Sequence, residues 1–175
     1  MRVAAPAEIS PRLKVEVSEG RIFQLNVSGG GVPKLAVREA VLTPGGLEGD
    51  RQRNLRLHGG PERAVCLYAL EHVLALQAEG HPIFPGSVGE NLTLVGLDWS
   101  RLAPGARLAL GEASLVEVTS YTSPCKIIAA SFIDGDFKRI SQKLRPGLSR
   151  LYARVLRPGR LSVGDRVRIL NGPVS

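Results

Sequence analysis

The chain has 175 residues, 43% of them hydrophobic, and carries 23 Lys and Arg against 16 Asp and Glu, a formal charge of +7. That length buries a core without disulfides or a structural metal, and no apolar run of about 18 residues is present to cross a membrane as a helix. Two cysteines without CxxC spacing and three histidines in no zinc-type pattern with them exclude a zinc module or a disulfide scaffold.

The N-terminal MRVAAPAEIS lacks an apolar leader region, so a cytoplasmic, reduced protein is the expectation. Gly (20) and Pro (12) are plentiful without any low-complexity tract, which predicts many turns and hence many short strands. Leu13, Val15 and Val17 alternate with polar residues as in a half-buried strand. Glu19-Gly20 marks a turn, and Ile22, Phe23, Leu25 and Val27 form the return strand of a hairpin. The loop SGGGVPK follows, then a strand over 36–43 and a second Gly-rich polar loop, PGGLEGDRQRN.

RAVCLYA (63–69) reads as a buried strand and 70–80 as a helix, with Leu70, Val73, Leu74 and Gln77 on one face and Gly80 as its stop. Strands are expected at 107–110, 114–119, 151–156 and 166–170, and short helices after Pro124 and over 137–144. PG dipeptides at 85–86, 104–105, 146–147 and 158–159 mark loops. The fold class is mainly β, barrel-like, with a few short helices, and one domain is expected over 1–175.

Four segments contain residues suited to chemistry. In HGGPERAVCLY, His58, Gly59, Gly60 and Arg63 form either an anion-binding nest or a tight turn beside a surface arginine. In PGSVGENLTLVGLDW, Glu90 and Asn91 either contact a ligand or hold a turn, the second being the commoner use of such residues. In GLEGDRQRN and GGGVPK, Arg51 and Lys34 either reach a phosphate or belong to solvated loops. Neither a P-loop nor a strand–GxGxxG–helix unit is present, which argues against nucleotide hydrolysis. In TSPCKIIAASF, a helix beginning near Pro124 would put Cys125 in its first turn, where the helix dipole stabilises a thiolate. The alternative is a small buried thiol, the clear reading for Cys66 in its apolar strand.

In order, NVSGGGVPK, LEGDRQ, HGGPERAVCLY, GSVGENLT, LVEVTSYTSPC and LYARVLRPGRLSVGDRV resemble the MOSC domain, named for the C-terminal domain of molybdenum cofactor sulfurases. The resemblance covers about 22–169 and is closest to the stand-alone bacterial type. It implies a barrel of short strands and equates Cys125 with the family's functional cysteine, either as thiolate ligand to molybdenum in a molybdopterin cofactor or as carrier of a persulfide. The first role implies reduction of N-hydroxylated compounds such as hydroxylamino purines, and makes His58, Gly59, Gly60, Arg63, Lys34, Arg51, Glu90 and Asn91 candidate cofactor contacts. Without a ferredoxin-like cysteine cluster or flavin motif, electrons would come from a partner protein. The second role implies a cysteine desulfurase as partner. A non-catalytic anion-binding barrel is a third reading, but the 5% aromatic content argues against nucleic acid.

Overall fold

The computed structural model describes residues 19–51 and 60–170. The strand expected at Leu13–Val17, together with His58 and Gly59, lies outside the described residues. Among the described residues there are eleven strands: β1 (Glu19–Val27), β2 (Leu35–Val37), β3 (Glu39–Thr43), β4 (Gly46–Leu47), β5 (Val65–Ala69), β6 (Leu92–Val95), β7 (Arg107–Leu110), β8 (Ser114–Tyr121), β9 (Leu151–Arg157), β10 (Gly159–Ser162) and β11 (Arg166–Leu170). The larger sheet runs β11-β7-β8-β9-β5-β6-β1 and closes through a β11–β1 pairing, giving a seven-stranded barrel with β2 appended to β1. Strand β1 reaches all three neighbours because it is long: 19–21 pair with β11, 21–25 with β6 and 25–27 with β2. Strands β10, β3 and β4 form a separate small sheet.

The single strand expected over 36–43 is two strands broken at Arg38, because the chain leaves the barrel there to pair with β10. Strands β7 and β11 fall at the expected positions, while β6 and β10 form inside segments read as loops. The barrel interior is aliphatic, with Leu67, Leu92, Leu94, Leu108, Val116, Val118, Leu151 and Val167 among its buried residues. The alternation of the strands places these side chains inward, and their burial drives closure.

Strands β5 and β6 pair in parallel, Leu67↔Leu92 to Ala69↔Leu94, in a barrel otherwise antiparallel among the described strands. Parallel neighbours need a long crossover, usually helical. Here the crossover contains α1 (Leu70–Ala78) and the loop 79–91. Helix α1 ends in a Schellman arrangement: Gly80 N–H donates to Gln77 O at 2.8 Å and His81 N–H to Leu76 O at 3.1 Å, with Gly80 at φ 95. Its buried face is Val73 and Leu76, not the expected stripe through Leu74 and Gln77; Leu74 is 53% exposed. Val73 and Leu76 join Tyr68, Ile83, Val88, Ile128, Phe132 and Ile140 in a second core outside the barrel. That core anchors the crossover and the segment after Cys125 to each other.

Within the crossover, Gly86 has φ 91, and its carbonyl accepts Lys34 N–H at 2.9 Å. A Cβ at this position would collide with the Lys34 carbonyl oxygen. Gly86→Ala combines that collision with a left-handed backbone. It should lower unfolding free energy by at least about 2 kcal/mol in urea denaturation.

Candidate functional site

Strand β8 delivers the chain to Cys125. Beyond Tyr121, Thr122 N–H donates to Arg150 O at 3.0 Å, which keeps the segment against the approach to β9. Cys125 itself is extended (φ −136, ψ 170) and precedes a six-residue 3-10 segment, Lys126–Ser131. This corrects the expectation of an α-helical first turn around the thiol. The buried residues Ile128 and Ser131 stand three apart, the spacing that matches three residues per turn. A 3-10 segment also replaces the helix expected over 137–144; it spans Phe137–Ile140 and buries Ile140.

Cys125 is half-buried and opens into a recess of about 740 Å³ of empty space, mouth included. Besides Cys66, five stretches build it: Gly31, Val32 and Lys34 from the Gly-rich loop; Arg51; Val88, Gly89 and Asn91 from the crossover; Cys125, Ile127 and Ile128; and Arg150 and Tyr152 from β9 and its approach. Cys66, on β5, lines the same recess. Among the described residues no group of three or more His, Cys, Asp or Glu is placed to hold a metal ion.

Asp50 organises one wall. Its carboxylate accepts Ser28 N–H at 2.9 Å, Asn91 Nδ2–H at 2.8 Å and the Lys34 ammonium at 2.5 Å. Asn91 extends the network into the barrel. Its Oδ1 accepts Cys66 N–H at 3.0 Å, its own N–H donates to Cys66 O at 2.8 Å, and its Nδ2 also donates to Asn26 O at 3.3 Å. Asn91 therefore lines the pocket and fixes Cys66 at the same time. Lys34 lines it too, but with its charge matched by Asp50. Sequence reading treated Asp50 only as part of a charged loop and missed it as the hub. Burial is what distinguishes it, and one sequence does not display burial.

Glu90 does not line the recess. It is fully buried, and Oε1 accepts Gly86 N–H at 2.7 Å and Thr93 Oγ–H at 3.0 Å. Its role as a turn-holder is the structural one. Burial pushes its carboxyl above the ordinary 4.5. The folded state thus holds this proton more tightly than the unfolded state, and its contribution is lost as pH rises through the folded value. Glu90→Gln keeps Oε1 as an acceptor and removes the titration. The urea midpoint of the wild type should fall relative to that of Glu90→Gln as pH rises above about 4.5, the unfolded value; parallel midpoints would show that Glu90 ionises as freely folded as unfolded.

The HGG-containing segment is only partly in view. Gly60 is exposed with φ 96, and it precedes a 3-10 turn, Pro61–Arg63. Arg63 sits with its guanidinium carbon 5.5 Å from the centre of the Tyr152 ring, stacked behind a pocket residue rather than lining the pocket. Arg51 is exposed at the rim.

The two thiols differ sharply. Cys66 is 4% exposed, and burial pushes its thiol up to about 11, so it stays protonated at neutral pH. Tyr152, between the electrostatic reach of both cysteines, is raised to about 12 by burial first. Cys125 is the more accessible of the pair.

A closed, mainly β barrel with one accessible cysteine in a cation-lined recess outside the barrel core defines the class. The MOSC domain model matches residues 54–168, and the chain belongs to this family. It is 34% identical to the uncharacterized protein YflK of Bacillus subtilis over 143 residues, covering 81% of this chain and 63% of YflK. It is 35% identical to the protein YiiM of Escherichia coli over 137 residues, 76% of this chain and 60% of YiiM. The chain thus spans about 60% of the length of these curated relatives. Among solved structures, YiiM from Geobacillus stearothermophilus superposes with a TM-score of 0.69 at 26% identity, over 87% of this chain and 75% of that one. YiiM from Escherichia coli superposes with a TM-score of 0.64 at 30% identity, over 89% and 72%. No helix among the described residues is long and apolar enough to cross a membrane.

Proposed function

We propose that this MOSC protein holds a molybdenum–molybdopterin cofactor with Cys125 as a thiolate ligand, and reduces N-hydroxylated small molecules with electrons from a partner protein. The observation that carries this reading is the half-buried Cys125 thiol opening into a recess with Arg51, Arg150 and Lys34 in its walls. The residues present suit the group. Arg51 and Arg150 line the recess beside the Cys125 thiol and supply positive charge for an anionic group. With Cys125 the accessible thiol there, the remaining metal ligands would come from the cofactor's own sulfurs.

When bound, the cofactor supplies the redox chemistry: two electrons and two protons convert an N–OH to an N–H and release water. The chain's residues do the rest. Cys125, at the start of the 3-10 segment, would hold the metal. Asn91 and Asp50 keep the opposite wall in register with β5. Val32, Val88, Ile127 and Ile128 give the recess an apolar lining that limits water. Glu90 holds the crossover loop from behind. A protein of Gibberella moniliformis named Reductase is 30% identical to this chain over 120 residues, 66% of this chain but 21% of that protein, which agrees with a reductive role alongside further domains.

Elemental analysis of protein purified from a host that makes the cofactor tests the proposal. Molybdenum approaching one equivalent per chain is the expected result. Protein without molybdenum, carrying a persulfide on Cys125 by mass spectrometry after treatment with a cysteine desulfurase, would replace this reading with sulfur transfer.

A further inference from the structure

His81 stands where the crossover meets the segment that follows Cys125. Its own N–H closes α1 by donating to Leu76 O. Its side chain is 10% exposed, and Nδ1 accepts Ile133 N–H at 3.1 Å. Ile133 opens the 3-10 turn Ile133–Gly135, one residue beyond Phe132 of the second core. The Phe132 ring meets the imidazole edge to face, with centroids 5.4 Å apart. On the other side of the ring, Nε2 lies 3.5 Å from Glu79 Oε2. Arg139, on the segment Phe137–Ile140, grips the same carboxylate with Nε at 2.9 Å and Nη2 at 2.5 Å. Those bonds hold the Glu79 carboxyl below the ordinary 4.5, so it stays an anion where histidines titrate. The other charged residues of the packed segment are Asp134, Asp136 and Lys138, all exposed.

An imidazole nitrogen accepts a hydrogen bond only while it carries no proton. The Ile133 bond therefore fixes the neutral ring with its proton on Nε2, on the side of Glu79. A second proton has to go on Nδ1. There it would set one N–H against another, with no acceptor between them, and the bond to Ile133 would break. We infer that His81 is a proton-sensitive latch: neutral, it holds the segment after Cys125 to the crossover, and protonated, it releases Ile133 and loosens the wall of the recess. The release reaches the recess by packing, because Ile128 and Val88 belong to the same core as Phe132 and both line the recess. His81 touches no part of the recess itself and acts as a positioning residue. The latch works the same way whatever the recess binds.

The experiment uses isotope-labelled full-length protein without added metal, titrated from about pH 8 to about pH 5, the span in which histidines change charge. Long-range proton–nitrogen correlation reads the His81 ring, and hydrogen exchange reads the Ile133 amide. The neutral ring should carry its proton on Nε2. Protection of Ile133 N–H should fall about fivefold as the ring takes its second proton, the order of one net hydrogen bond. Protection of Thr122 N–H, bonded to Arg150 O, should stay constant. The Ile128 δ1 methyl should shift with the same midpoint as the ring. His81→Asn offers an amide oxygen in place of Nδ1 and does not titrate, so its Ile133 protection should be high and independent of pH. The inference is overturned by a neutral ring protonated on Nδ1, or by a ring that takes no second proton down to about pH 5. Constant Ile133 protection or an unmoved Ile128 methyl through the ring's titration overturns it too, as does the wild-type pH dependence persisting in folded His81→Asn. The wild-type measurements decide it even if the variant does not fold. Molybdenum content is read on separate samples, so the proposed function can fail while the latch stands, and the reverse.

Discussion

Cys125→Ser should emerge from a cofactor-producing host with its molybdenum content reduced to background, while its thermal midpoint stays within about 2 °C of the wild type. The two halves of this result have separate causes. A hydroxyl is a hard, neutral donor at physiological pH and a poor replacement for thiolate on a soft metal centre. Cys125 is only half-buried and belongs to neither apolar core, so the exchange of sulfur for oxygen costs little folding energy. Cys66→Ser should behave in the opposite way. It puts a hydroxyl into a buried position on β5 and should cost about 1–3 kcal/mol, with metal retained per folded molecule. Elemental analysis and calorimetry on the two variants separate the thiol that binds from the thiol that packs. Retention of molybdenum by Cys125→Ser would sink the ligand assignment.

Asp50→Ala is expected to be the most destabilising polar substitution in the recess, at about 3–5 kcal/mol, the usual cost of stranding one half of a buried ion pair. The Lys34 ammonium would lose its carboxylate, and Asn91 Nδ2 and Ser28 N–H would each lose an acceptor. The double variant Lys34→Met/Asp50→Leu should be more stable than Asp50→Ala, because it removes the orphaned charge. A double-mutant cycle by urea denaturation measures the coupling. Additive losses would show that Lys34 and Asp50 act independently.

The barrel strands were legible in the sequence where their faces alternate or where a buried run sits between turn signals. Strands 107–110 and 166–170 appear where expected, and RAVCLYA supplies β5. The strand β6 was hidden because its burial is two-sided between a parallel neighbour, β5, and an antiparallel one, β1. Leu92, Thr93 and Leu94 are all buried, so no alternation marks them. Around Cys125 the apolar residues permitted an α-helix or a 3-10 segment, and packing against the second core chose between them. Of the candidate site residues, Cys125, Lys34, Arg51 and Asn91 meet at one recess, whereas Glu90 sits behind it and Arg63 beside it. Arg150, Tyr152 and Asp50 escaped notice because each looks like an ordinary strand or loop residue until burial is known. The MOSC resemblance rested on the order of several loops rather than on any one, and the family assignment upholds it.

The β11–β1 seam has a kinetic consequence. Residues 19–21 must find 166–168 before the barrel is complete, and the pocket itself gathers Gly31 with Tyr152. Pairings of such sequence separation form late and slowly, after a large loss of chain entropy. No fragment ending before β9 contains Arg150 or Tyr152. A nascent chain therefore cannot form this recess until β9 has been made. On the proposed reading, any ligand of the recess meets a barrel that has already closed.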